Sequence, residues 1–169
     1  MLGFIGSYEH TMDAKNRLFV PAKFRDGLTG KFIIKSFTSE YPCIQCFRID
    51  DFEKAAAEAA DKVDNPYRRR VKLAKAYLGA AEVTVDGQGR IAIPAQLIKD
   101  ARLDKEAVIV GMGDYVEIWN PTVLRDFTAV VDQLSLKEED AVMHEESIAI
   151  ERIANGDFLQ APGGGSDGV

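Results

Sequence analysis

The sequence predicts an α+β fold of two tandem β-β-α-β-β repeats, each followed by a helical pair. Two observations carry that expectation. First, Asp13-Ala14-Lys15-Asn16-Arg17-Leu18-Phe19-Val20-Pro21-Ala22 returns 73 positions later as Asp86-Gly87-Gln88-Gly89-Arg90-Ile91-Ala92-Ile93-Pro94-Ala95. Across 6–22 against 79–95, seven of seventeen positions are identical: Gly6/Gly79, Glu9/Glu82, Thr11/Thr84, Asp13/Asp86, Arg17/Arg90, Pro21/Pro94 and Ala22/Ala95. Second, the same order of apolar and turn-forming segments follows each copy. Two copies are too few for a solenoid, so one unit built from two halves is expected.

Glu9–Met12 and Arg17–Val20 read as short strands joined by a tight turn. Asp13 and Asn16 shape that turn, and Asp86, Gly87 and Gly89 shape its twin. Asp can accept hydrogen bonds within its own turn, while Asn and Gly tolerate positive φ. Pro21 and Pro94 lack an N–H, so each closes its strand and opens a short helix, Ala22–Leu28 and Ala95–Leu103. Buried strands follow at Lys31–Ser36 and Ile44–Ile49, and again at Ala107–Gly111 and Val116–Trp119. Asp50–Ala80 reads as two helices, the first capped by Asp50 or Asp51 and the second spanning Tyr67–Leu78 after the Asp64-Asn65-Pro66 break. In the second half, Asn120-Pro121 opens a helix to about Leu134. Ser135-Leu136-Lys137-Glu138 has the capping-box pattern for another to about Ala154. Asn155-Gly156 stops it, and the glycine-rich end reads as a disordered tail. The expected organisation is 1–80 for the first half, 81–154 for the second and 155–169 for the tail.

The composition fits a packed globular body, with 46% hydrophobic residues in 169. No apolar run is long enough to cross a membrane, and Met1–Tyr8 lacks the pattern of a signal peptide. Two cysteines close together suit a reduced, cytoplasmic setting better than a disulfide framework. The net charge of −6 argues at first against nucleic acid, but it is unevenly spread. Residues 1–81 hold 14 Lys and Arg against 10 Asp and Glu, whereas 82–169 hold 7 against 17. The acidity lies mainly in the C-terminal third, so the overall pI does not describe any one surface.

The usual catalytic sets are missing. His10 and His144 each stand alone, and there is no nucleophile elbow, phosphate loop or dinucleotide fingerprint. Gly87-Gln88-Gly89 leads into a strand and not a helix. Cys43-Ile44-Gln45-Cys46 lacks a second ligand pair, and on a strand its thiols face opposite sides, so packing is the expected role. No metal, cofactor or small-molecule substrate is expected, and no enzyme activity. Arg68-Arg69-Arg70 with Lys72 and Lys75 reads as a helix whose Val71, Ala74 and Leu78 pack inward. Its charges form a solvated face, an oligomer contact or a nucleic-acid site. The acidic run Lys137–Glu146 is a solvated face, or pairs with that basic helix on a neighbouring subunit.

The repeated Asp-x-x-x-Arg stands apart, because a polar turn does not by itself need arginine at one fixed place. One reading is an Asp–Arg ion pair steadying the turn. The other places Arg17 and Arg90 at protruding tips, where a guanidinium fork matches guanine O6 and N7 or phosphate oxygens. Lys15 would add a backbone contact, and Gln88 at the matching position could hydrogen-bond a base or phosphate.

These turns, with Arg68-Arg69 before Leu78-Gly79 and with Gly111-Met112-Gly113-Asp114, resemble the MraZ family, bacterial transcriptional regulators of the swapped-hairpin AbrB superfamily. The resemblance covers about residues 1–150. It implies one intramolecular swapped-hairpin barrel, assembly of subunits into a ring, and binding to guanine-rich direct repeats in the promoter of the division and cell-wall gene cluster. It places DNA binding on Arg17, with Arg90 and Lys15 in support, in a cytoplasmic, nucleoid-associated protein. Asn16 stands where the family usually has glycine. Two rivals remain: an antitoxin-like module that binds a protein through its C-terminal region, and an enzyme using Asp13 and Arg17 on a small carboxylated substrate.

Overall fold

In the computed structural model, which describes residues 3–154 and the side chains of the last helix up to residue 139, the elements follow the repeat. The first half contributes β1 (Ser7–Thr11), β2 (Arg17–Phe19), α1 (Ala22–Arg25), β3 (Lys31–Phe37) and β4 (Cys43–Arg48), then α2 (Ile49–Asp61) and α3 (Pro66–Tyr77). The second contributes β5 (Ala81–Thr84), β6 (Arg90–Ala92), α4 (Ala95–Asp100), β7 (Glu106–Gly111) and β8 (Val116–Trp119), then α5 (Pro121–Ala154). The result is α+β with antiparallel pairing throughout the described ladders. Two compact units result, Met1–Asp126 and Phe127–Val169, and the described strands all belong to the first.

Each described strand of the first half pairs with one of the second: β1 with β7, β2 with β6, β3 with β5 and β4 with β8. Only β3–β4 and β7–β8 are ladders within a half. The large sheet therefore runs β1-β7-β8-β4-β3-β5, and β2-β6 forms a separate two-stranded ribbon. The exchange is reciprocal: Val20 N donates to the Gly89 carbonyl and Ile93 N to that of Asn16, each at 2.9 Å. Strands of three to seven residues cannot bury enough apolar surface within one half. Interleaving the halves lets both contribute to one core. Leu18, Phe24, Phe32, Ile34 and Ile44 from the first half meet Ile91, Leu97, Ile109, Val116 and Ile118 from the second. Phe24 on α1 is wedged edge-on between Phe4 and Tyr8, at 5.5 and 5.3 Å between ring centroids.

Strand alternation turns the other face of the sheet toward a second, smaller layer. There Phe52, Ala56 and Ala60, four residues apart along α2, form its buried stripe. Phe47 stacks on Tyr115 at 5.0 Å and tilts against Phe52 at 6.0 Å. Cys43 and Cys46 lie on opposite faces as the three-residue spacing requires, Cys46 in the main core and Cys43 outside it, and both are buried free thiols. The buried Glu117 carboxylate accepts from Trp119 Nε1 at 3.0 Å and Gln45 Nε2 at 3.2 Å, which removes the cost of an orphaned buried acid.

Several expectations need correction. The second helical pair is one continuous helix, α5. Its sequence holds no glycine or proline after Pro121, and a Ser-x-x-Glu tetrad is as compatible with a helix interior as with a start. β1 and β2 do not form a two-stranded hairpin: they leave their shared turn for different sheets. α1 and α4 end at Arg25 and Asp100, before Leu28 and Leu103. Arg48 occupies the N-cap of α2, with Asp50 and Asp51 in the first turn, where their charge still suits the helix dipole. On α3, Val71 and Leu78 are exposed, not packed inward. The expected tail at 155–169 lies outside the described residues. Among the described residues no helix is long and apolar enough to cross a membrane.

Candidate nucleic-acid interface

The two turns share one hydrogen-bond scheme. In the first, Asp13 Oδ1 accepts from Lys15 N and Arg17 N, both at 2.9 Å, and Oδ2 accepts from Arg17 Nε at 2.7 Å. In the second, Asp86 Oδ1 accepts from Gln88 N and Arg90 N at 2.9 Å, and Oδ2 from Arg90 Nε at 3.0 Å. The backbone closes each loop identically: Asn16 N donates to the Asp13 carbonyl, and Gly89 N to that of Asp86. Asn16 at φ 56° and Gly89 at φ 82° occupy the one left-handed position of each turn, which explains asparagine there in place of glycine. Gly87 has no positive φ and corresponds to Ala14, so its backbone freedom is not required. The aspartates thus act as turn scaffolds that hold the arginine stems.

The two turns open onto one ribbon. Each feeds directly into the β2–β6 ribbon, where Arg17 faces Ala92 and Phe19 faces Arg90. Leu18 and Ile91 are buried between them, so alternation sends Arg17, Phe19, Arg90 and Ala92 to the outer face. Both arginines, Lys15 and Gln88 therefore belong to one continuous surface.

The two arginines differ in freedom. Arg17 is held at Nε by Asp13 and its side chain is 32% exposed; no partner is recorded for its terminal nitrogens among the described residues. Arg90 is 16% exposed and all three nitrogens are engaged: Nε and Nη2 with Asp86 at 3.0 Å, and Nη1 with Asp13 at 3.7 Å. Arg17 is braced but can still present its fork, whereas Arg90 ties the turns together. The steadying ion pair and the outward guanidinium are therefore compatible in the first turn. Lys15 and Gln88 are exposed at the turn apices.

Sequence reasoning missed Arg25. From α1 its Nε donates to the Val20 carbonyl at 2.8 Å, and its guanidinium lies over Gly89. A Cβ at Gly89 would come within 2.4 Å of Arg25 Cζ, the movable end of a flexible side chain, so it is the φ of 82° that favours glycine there. The available signal was an asymmetry in the repeat: position 25 corresponds to 98, where the chain has isoleucine.

Charge at the turns is stable to pH. Desolvation pushes the Asp13 carboxyl up, but the Arg17 N–H, the Arg17 guanidinium and the Lys15 N–H together bring it below its ordinary value. For Asp86 the Arg90 N–H leads, opposed by desolvation and reinforced by the Arg90 side chain and Gln88 N–H. A carboxyl lowered in the folded state contributes stability above its unfolded pKa, and that contribution is lost as pH falls through the folded value. Asp13→Asn keeps the backbone acceptor but loses the charge. Its stability deficit against the wild type, read from urea midpoints, is expected at pH 6 and should shrink as the pH falls through the lowered folded-state pKa of Asp13. A deficit that does not shrink as the pH falls would mean that the charge is irrelevant.

Other candidates are placed elsewhere. His10 on β1 is half-buried with its ring 6.4 Å from that of Phe19, and the His144 side chain lies outside the described residues. Burial, with the Glu117 carboxylate nearby, pushes both cysteine thiols far above their usual range, so neither is a ready thiolate. No group of three or more potential metal ligands is found among the described residues. Arg69 is paired with Asp61 at 2.8 Å, while Arg68, Arg70, Lys72 and Lys75 are exposed on α3.

Two interleaved β-β-α-β-β halves joined at twin aspartate-braced arginine turns define a class of duplicated α+β proteins. The chain belongs to the MraZ family: the model of that family, described as "MraZ protein, putative antitoxin-like", matches residues 4–73 and again 76–146. The chain is 39% identical over 126 residues to the "Transcriptional regulator MraZ" of Carboxydothermus hydrogenoformans, covering 73% of this chain and 85% of that one. It is 34% identical over 148 residues to the protein of the same name from Acetivibrio thermocellus, covering 86% and 94%. A third such regulator, from Roseiflexus sp., is 35% identical over 130 residues, covering 76% and 89%. These three relatives are named as transcriptional regulators.

Proposed function

We propose that this protein is a sequence-specific DNA-binding transcriptional regulator that works without cofactor or enzyme activity, in the cytoplasm at the nucleoid. Its target is guanine-rich direct repeats in the promoter of the division and cell-wall gene cluster. The observation that carries this reading is the outward Arg17, fixed at its stem by Asp13 on a two-stranded ribbon. The major groove admits such a ribbon, and a guanidinium fork fits guanine O6 and N7. Arg90, Lys15 and Gln88 lie on the same surface and support that contact. The reciprocal strand exchange supports a swapped-hairpin barrel formed by halves 1–80 and 81–154.

Subunits assemble into a ring, which sets several arginine ribbons side by side and multiplies modest contacts. Two exposed surfaces support self-association. α3 carries Arg68, Arg69, Arg70, Lys72 and Lys75 with no acid, beside exposed Tyr67, Val71 and Leu78. The sequence of α5 is predominantly acidic, with exposed Val131, Leu134 and Leu136.

The test is fluorescence anisotropy on a duplex from the chain's own upstream region against a scrambled duplex, across a salt series. Selective binding that weakens steeply with salt is the expected result. Equal or absent binding to both duplexes at low salt would overturn the regulator reading. The antitoxin-like description of the family keeps one second reading, capture of a protein partner through the C-terminal region. Truncation after Gly156 should leave DNA binding intact and abolish only such capture.

A further inference from the structure

Phe19 is 42% exposed, although phenylalanine is among the residues a fold most readily buries. Leu18 beside it is fully buried. The ring stands on the outer face of the β2–β6 ribbon, two residues along the strand from Arg17 and directly opposite Arg90. One contact is recorded for the ring, the tilted approach of His10 at 6.4 Å. The corresponding residue of the second repeat is Ala92, opposite Arg17. So an exposed apolar ring adjoins both arginine positions on the outer face of the ribbon, in one half only.

We infer that Phe19 is a specificity-determining residue that reads the C5-methyl of a thymine in the major groove, close to the guanine taken by Arg17. This rests on the DNA-reading function proposed above. The occupant is argued from position and dimension: the ring shares the outer face of the ribbon with Arg17, two residues away, and sits opposite Arg90, so whatever Arg17 reads lies within its reach. Apolar side chains are the natural partners of the thymine methyl, the one apolar feature of the major-groove edge. Two strand residues span about 7 Å, and successive base pairs rise about 3.4 Å. The thymine should therefore lie within about two base pairs of that guanine. Ala92 is too short to make the same contact, so the two halves of the ribbon read different sequences despite their identical turns.

The test uses the full chain and the upstream duplex, with each thymine replaced in turn by deoxyuridine, which lacks only the methyl. For the wild type, one replacement near an essential guanine should weaken binding about 3- to 10-fold, the scale of one buried methyl or slightly more. Phe19→Ala should bind the unmodified duplex more weakly by a similar factor, be indifferent to that replacement, and bind the scrambled duplex as the wild type does. Phe19→Leu should retain part of the thymine sensitivity, which separates a lost contact from a damaged fold. Wild-type selectivity with no response to any deoxyuridine would overturn the inference while leaving the DNA reading intact. So would a Phe19→Ala protein that keeps the response. A change in assembly mass on Phe19→Ala, by light scattering, would assign the ring to a contact between copies and overturn it as well. Loss of all discrimination between matched and scrambled duplexes in the wild type would defeat the DNA reading itself.

Discussion

Arg17→Ala is expected to remove most of the discrimination between matched and scrambled duplexes while leaving the fold intact. A bidentate arginine–guanine contact is worth about 1–3 kcal/mol, or about 5- to 150-fold per site at 1.4 kcal/mol per decade. Several copies on one assembly would multiply that loss. The stem of Arg17 is held at Nε by Asp13, so the free guanidinium edge is presented with little rotamer entropy left to lose on binding. Arg17→Lys keeps the positive charge but not the fork, so it should retain most of the salt dependence and little of the selectivity. Arg90→Ala should behave differently. Its three nitrogens already serve Asp86 and Asp13, so its loss loosens the junction of the turns and lowers affinity for both duplexes more evenly. Anisotropy on the three variants separates these outcomes. Selectivity retained by Arg17→Ala but lost in Arg90→Ala would reverse the roles assigned to the two turns.

How much of this was legible depended on range. The repeat gave the order of the strands, and Val116–Trp119 was delimited to the residue, because turn chemistry and proline mark boundaries locally. The left-handed residue of each turn was also readable, from Asn16 and Gly89. Which strand pairs with which was not readable. A tight turn between β1 and β2 suggests a hairpin, and only the shared core makes pairing across the halves the better solution. The continuity of α5 was hidden because a capping-box tetrad has no negative signal when it lies within a helix. The inequality of Arg17 and Arg90 was also invisible. The motifs are alike, and the difference arises from Arg90 reaching Asp13 of the other turn. Arg25 and Phe19 share one lesson: both occupy positions where the repeats differ, Arg25 against Ile98 and Phe19 against Ala92. At these two positions it is divergence between the copies, and not their identity, that marks what one half has and the other lacks.

The same interleaving predicts that residues 1–80, expressed alone, do not fold as a monomer. The fragment keeps the β3–β4 ladder and the α2–α3 pair, but β1 loses its ladder partner β7, β2 loses β6, β3 loses β5 and β4 loses β8. Leu18, Phe24, Phe32, Ile34 and Ile44 would be left facing water where Ile91, Leu97, Ile109, Val116 and Ile118 had packed. At about 1.5–3 kcal/mol for each large apolar side chain buried, that exposure is comparable to the whole stability of about 5–15 kcal/mol typical of a domain. The fragment should therefore show no cooperative thermal transition by circular dichroism at low micromolar concentration. Because the repeats are related, two copies of 1–80 can mimic the missing half, so any transition seen at higher concentration should have a midpoint that rises with concentration. Adding equimolar 81–154 should restore a cooperative transition and a 1:1 complex. A concentration-independent, cooperative melt of monomeric 1–80 would show that each half has its own core, and the strand exchange would then be a packing choice and not a condition of folding.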